Sequence, residues 1–178
     1  MMEFLECLKN RRSVRVFRQE KVSHEKIKVI VEEASFAPSW KNSQTVSYLV
    51  IENEELKKEV ANTLATRNQQ IVLNAPDLVI VLSKKNIAGY NRDGSFSTTK
   101  NQGWEMFDAG IASQTFCLSA YYEGVNTVIM GIFDEQLLKK VLKITDDYAI
   151  SALIAMGYGV TNPKMPLRKT VSELLEIK

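Results

Sequence analysis

The densest group of residues able to do chemistry is Arg11-Arg12-Ser13-Val14-Arg15, directly after a short N-terminal helical segment. In extended backbone successive side chains alternate, so Arg11, Ser13 and Arg15 project from one side. Two guanidinium groups and a hydroxyl on one side suit a phosphate dianion, because arginine donates charge-assisted, bidentate hydrogen bonds. Spacing alone supports that reading and a solvated basic turn equally. A second group is Pro38-Ser39-Trp40-Lys41-Asn42-Ser43-Gln44. Its Asn and Gln carry paired donors and acceptors that suit an amide-rich ring edge. Taken alone, a helix-ending turn accounts for it better. A third is Ile129-Met130-Gly131-Ile132-Phe133-Asp134, where a glycine at a strand end lets a ligand approach the backbone and frees an N–H. In isolation, a bend before the next helix is again the better account.

The missing residue types narrow the chemistry. His24 is the only histidine and begins a helix, which leaves no histidine triad and no histidine metal cluster. Cys7 and Cys117 lie far apart without metal-type spacing and read as two reduced, packed thiols. Glu32-Glu33 and Asp146-Asp147 read as solvated surface pairs, and the chain has neither a Gly-x-Gly-x-x-Gly fingerprint nor a P-loop. An enzyme with this inventory needs a cofactor to carry the reaction. Lys+Arg 23 against Asp+Glu 21 gives a net charge of +2, too little for a general nucleic-acid binder. With no signal peptide and no apolar run of about 18 residues, the chain is expected to be cytoplasmic and free of membrane.

The elements that must position these groups alternate along 178 residues, a length that fits one domain over 1–178. A short helix passes through Phe4, Leu5 and Leu8, and an amphipathic helix carries Ile27, Ile30, Val31 and Ala34 before Pro38. Tyr48–Ile51 reads as a strand, Leu56, Val60 and Leu64 as a helix, and Asp77–Leu82 as a strand covered on both faces. Between Lys84 and Gly103 periodicity disappears, as in a functional loop. Trp104–Tyr122 is a helix rich in small residues, closed by Gly124. A strand over Thr127–Phe133, a helix over Asp134–Leu142 and a strand over Ala149–Met156 follow. Helices on both faces of a mixed sheet is the simplest arrangement.

In this order, the segments resemble the FMN-dependent nitroreductase family. Arg11-Arg12-Ser13-x-Arg15 is similar to its opening phosphate motif; Ala37, Pro38, Ser39, Asn42 and Gln44 match its Ala-Pro-Ser-x-x-Asn-x-Gln loop. Asn68 before Asn74-Ala75-Pro76 resembles the segment at the flavin pyrimidine edge, and Asp108–Gln114 the start of the long dimer-interface helix. Met130–Asp134 is similar to the loop beneath the flavin, Ala155–Gly159 to the closing strand, and Arg168-Lys169 with Glu173-Leu174 to the phosphate-binding tail. Thr45-Val46 departs from a common Pro-Trp, and Ile71 stands where some members carry lysine.

The resemblance implies an α+β fold: an α/β/α sandwich around a central mixed, mainly antiparallel sheet, in an intertwined homodimer with FMN at the interface. It implies that Arg11, Arg12, Ser13 and Arg168 bind the phosphate region, and that Arg15 faces the N1/O2 edge. Asn68 would meet the pyrimidine side, and Met130 and Gly131 would lie near N5. Pro38, Ser39 and Asn42 would come from the partner. The activity implied is hydride transfer from NADH or NADPH through FMN to a small electron-poor acceptor, a nitroaromatic or quinone. A redox sensor or flavin carrier without nicotinamide turnover, a dehalogenase, a flavin-fragmenting enzyme and a non-flavin phosphate-binding module are the alternatives. Trp40, Tyr90, Phe96, Trp104 and Phe107 are candidates to stack on the ring, with ordinary packing the favoured role.

Overall fold

The computed structural model describes residues 3–178, and at its centre lies a four-stranded sheet. In it, β1 (Val46–Ile51), β2 (Asp77–Lys84), β3 (Asn126–Met130) and β4 (Tyr148–Gly157) lie in the order β1-β2-β4-β3. Every pairing between these strands is antiparallel, as in Leu78 opposite Ala155 and Val128 opposite Ala155. The parallel contribution is one bridge, Ser13 beside Thr127, where the Arg11–Arg15 arm runs along the outer edge of β3. The arm continues to a bridge between Phe17 and Gly159, just past β4.

Strand periodicity explains the two cores. Leu78 and Ile80 of β2 point to one face and Val79 and Val81 to the other, so the continuous apolar run is buried twice over. The first face is covered by α3 (Glu54–Ala61), α4 (Thr66–Asn74) and α6 (Glu135–Leu142), through Val60, Ile71, Val72 and Leu138. The second is covered by α2 (His24–Ala34) and α5 (Gly103–Tyr122), through Ile27, Ile30, Phe116 and Ala120. Two short helices, α1 (Phe4–Asn10) and α7 (Val171–Leu174), lie near the ends. This is the expected α+β sandwich.

Helix starts are set by side-chain caps. Ser23 Oγ accepts from Lys26 N at 3.3 Å, Asn53 Oδ1 from Leu56 N at 2.9 Å, and Asp134 Oδ1 from Leu137 N at 3.0 Å. α5 ends at Gly124, whose φ of 77° few other residues adopt cheaply. The inward face of α5 is made of Ala109, Ala112, Ser113 and Ala120, so the helix packs closely on β1, β2 and α2, while Gly110 faces outward.

Several boundaries differ from the sequence pattern. α2 stops at Ala34, before Pro38, because turns follow at Ser35–Ala37. Leu64 lies beyond α3 and pairs with Phe133 in a bridge, which also takes Phe133 out of β3. α4 is a helix the periodicity did not announce. The Lys84–Gly103 segment folds back on itself: Tyr90 bridges Phe96, and Trp104 Nε1 donates to Thr98 Oγ1 at 2.8 Å. Among the described residues no helix is long and apolar enough to cross a membrane.

Candidate functional site

The basic arm is positioned by the sheet beneath it. Val14 N donates to Thr127 O, Arg18 N to Tyr158 O and Val160 N to Val16 O, and Val14 and Phe17 anchor in the core. Gly159 makes this approach possible: a Cβ there would lie 2.8 Å from Asn126 Oδ1 and 3.0 Å from Val14 Cγ1. With Val14 and Phe17 pinned inward, the arginines are left at the surface. They line a cavity of about 280 Å³ made by Arg11, Arg12, Ser13, Arg15, Lys164 and Arg168, with Pro163 and Pro166. Among the described residues no carboxylate lies within 4.0 Å of any of these arginines. Concentrating like charge without a counter-ion is unfavourable unless an anion is taken up, and the donors are those that suit a phosphate.

The arginines are not equivalent. Arg12 Nη1 donates to Lys9 O and Arg11 O, at 2.6 and 2.9 Å, and so also closes the C-terminal turn of α1. Arg15 Nη1 is held by Ser13 O at 3.1 Å. Arg11 and Arg168 line the cavity, and among the described residues neither side chain has such a tether. Lys164 is a cavity cation that the sequence pattern did not single out; its place between Pro163 and Pro166, two residues that stiffen an extended tail, was the available signal.

A second cluster lies where β3 ends. Asn68 Nδ2 donates to Ile132 O at 3.3 Å, tying α4 to the loop after Met130. Met130 is buried, whereas Gly131 is exposed and a Cβ on it would meet nothing within 4 Å. Because Ser13 lies beside Thr127 and β3 runs on to Met130, the arm and this loop share one sheet edge.

Pro38 and Ser39 stand apart from both. They line a cavity of about 390 Å³ beneath the α2–β1 loop, together with Val31, Thr45, Tyr48 and Asp108. The loop is built from left-handed backbone: φ is 47° at Lys41, 54° at Asn42 and 49° at Gln44, all non-glycine residues. Ser39 Oγ accepts from Gln44 N at 3.0 Å, and Asn42 N donates to Ser39 O. The Tyr48 hydroxyl donates to Ala112 O at 3.3 Å; burial, followed by the nearby Cys117, pushes its pKa up to about 12. The aromatic residues pack on one another. Trp40 meets Trp104 at 4.5 Å, Trp104 meets Phe107 at 5.4 Å, and Tyr90 meets Phe96 at 4.9 Å. His24 takes part in none of this and binds the Glu52 carboxylate at the surface.

Comparison with known proteins bears on the fold and the family. The sequence model of the Nitroreductase family matches residues 8–69 and 63–158. A provisionally named NAD(P)H nitroreductase of Streptococcus pyogenes serotype M6 is 26% identical, over 98% of this chain and 99% of its own. A nitroreductase family protein from Clostridium novyi NT has the same fold with a TM-score of 0.79 and 30% identity, covering 93% of this chain and 89% of that one. A provisionally named nitroreductase from Exiguobacterium sibiricum 255-15, solved in complex with FMN, superposes with a TM-score of 0.87 at 23% identity, over 100% and 98% of the two chains.

Proposed function

This chain belongs to the nitroreductase family, and from that premise we propose that it is an FMN-dependent oxidoreductase, one domain over residues 1–178, acting as a homodimer. The observation that carries this reading is the arginine-lined cavity without a carboxylate, at the sheet edge that leads to Gly131. Its donor chemistry fits the terminal phosphate of FMN. When bound, FMN supplies hydride exchange between NADH or NADPH and a small electron-poor acceptor, such as a nitroaromatic or a quinone.

The chain's part is to bind and orient. Arg11, Ser13 and Arg168 would hold the phosphate, with Arg12 fixing the turn from which Arg11 projects. Arg15 would face the N1/O2 edge, where its fixed charge favours the electron-rich ring. Asn68 would meet the pyrimidine side, and Met130 and Gly131 would lie near N5. The partner's Pro38, Ser39 and Asn42 would complete the pocket, because in one chain that loop lines a separate cavity.

Support for two chains comes from apolar surface that one chain leaves uncovered. Phe4, Leu5 and Leu8 of α1 and Met106, Phe107 and Tyr122 of α5 are exposed. So are Leu167, Val171, Leu174, Leu175 and Ile177, with Leu167 at 101%. Past Val160, every hydrogen bond of the tail among the described residues is made within the tail. Apolar surface of this extent marks an interface.

The test is direct. The purified protein should be yellow with a flavin spectrum, and NADH or NADPH under anaerobic conditions should bleach it. A colourless protein that fails to take up added FMN would overturn the reading. Stable yellow colour against both nicotinamides would place the protein among redox sensors or flavin carriers.

A further inference from the structure

Asp108 lies one turn into α5 and is 2% exposed, yet no cation lies within 4.0 Å of it among the described residues. Both its carboxylate oxygens are spent on one donor, the backbone N–H of Trp40, at 2.9 and 3.1 Å. A buried carboxylate is costly, and a fold retains one where it does something an apolar residue could not.

What it holds is the α2–β1 loop at its most unusual point. Three left-handed residues, Lys41, Asn42 and Gln44, follow Trp40 closely, and such backbone persists only where the surroundings impose it. Packing from below does not impose it, because the loop spans a cavity of about 390 Å³. Hydrogen bonds from Gln44 N to Ser39 Oγ and from Asn42 N to Ser39 O hold its turns, and two anchors fix it to the body of the fold: the Asp108 carboxylate on the Trp40 backbone, and the Trp104 ring against the Trp40 ring at 4.5 Å. Both anchors belong to the first turns of α5, so the loop's position is slaved to that helix. Among the described residues, three side-chain groups along the loop, Trp40 Nε1, Ser43 Oγ and Thr45 Oγ1, are buried without a hydrogen-bond partner.

We propose that Asp108 is a positioning residue for flavin-ring recognition: by gripping the Trp40 N–H it sets Pro38, Ser39 and Asn42 where they meet the partner's ring. The inference rests on the assignment of that loop to the partner's flavin. Asp108 acts on the ring and not on the phosphate, so its effect is separable from that of the arginines.

The flavin-free protein is titrated with FMN and with riboflavin, and its mass is followed by light scattering. Asp108→Leu, which removes the acceptor, should remain dimeric and bind both flavins about tenfold or more weakly, by the same factor for each. Asp108→Asn keeps one acceptor oxygen and should stay within about threefold of the parent. Should Asp108→Leu fail to fold, Asp108→Glu decides: its acceptor is displaced by one methylene, and both affinities and the visible flavin band should shift together. Parent-like affinity for both flavins in dimeric Asp108→Leu, or in Asp108→Glu where that variant decides, overturns the proposal. So does a loss for FMN that spares riboflavin. A parent that binds neither flavin sinks the functional reading, and this inference with it.

Discussion

The Arg11–Arg15 arm and the Pro38–Gln44 loop are both short polar segments between regular elements, and they are held by opposite means. The arm is ordinary extended backbone, stitched to Thr127, Tyr158 and Val160 by main-chain hydrogen bonds, with Val14 and Phe17 plugged into the core. Its working groups are charges on long side chains, free to adapt to what they bind. The loop has left-handed backbone at three non-glycine residues and a cavity beneath it, and it hangs from a buried carboxylate and a tryptophan pair. What it presents is shape. A phosphate can be caught by adaptable cations, whereas a flat ring edge needs backbone held in advance. In the proposed dimer each flavin takes one of each, from different chains.

The strongest way to break that pairing is to separate the chains. Gly110 sits on the outward side of α5 with nothing within 4 Å of a Cβ, so Gly110→Trp leaves the fold of one chain intact. It should yield monomers in which arm and loop no longer meet in one site, with flavin binding abolished. Flavin-loaded monomers in light scattering would refute the shared site. Next in size is the arm. Arg168→Ala should cost about 2 kcal/mol of FMN binding, as the loss of a charge-assisted hydrogen bond does. Riboflavin binding should be unchanged, and the parent's preference for FMN should shrink as salt is raised. Equal losses for the two flavins would mean that Arg168 does not meet the phosphate.

The two segments also differ in how far the sequence revealed them. Charge and alternation are written in residue types, so Arg11, Ser13 and Arg15 mark the arm as a candidate anion site. The two-faced core followed likewise from the unbroken run Leu78–Leu82. Backbone torsion is not written that way. Lys41-Asn42-Ser43-Gln44 contains no glycine to announce left-handed residues, and the loop read as an ordinary turn. In the sequence Asp108 is one letter of a helix motif, and its only signal is an acid directly ahead of Ala109-Gly110-Ile111-Ala112. α4 is not legible in the sequence because its apolar residues, Ile71, Val72 and Leu73, are consecutive and show no helical spacing. Leu64 and Phe133 fit the periodicity of the neighbouring helix and strand, and tertiary pairing drew both out.

The smallest expected effect separates the two segments by solvent condition. The arm works through charge, so salt should weaken its hold on the phosphate. The loop should respond the other way, through Asp108. Burial raises the Asp108 pKa above 3.8, and the Trp40 N–H offsets this only in part. An acid whose pKa is higher in the folded state binds its proton more tightly there, so its contribution to stability is greatest below 3.8. That contribution declines as pH rises through the folded-state pKa and is flat above it. Asp108→Asn cannot titrate, and subtracting its thermal midpoint from the parent's at each pH cancels the other carboxylates. The difference should fall as pH rises from below 3.8 and then level off, with salt changing it little. A difference that grows with pH would mean that the ionised carboxylate is the stabilised form, held by more than the Trp40 N–H. The loop would then share the electrostatic character of the arm, and the contrast between the two segments would fail.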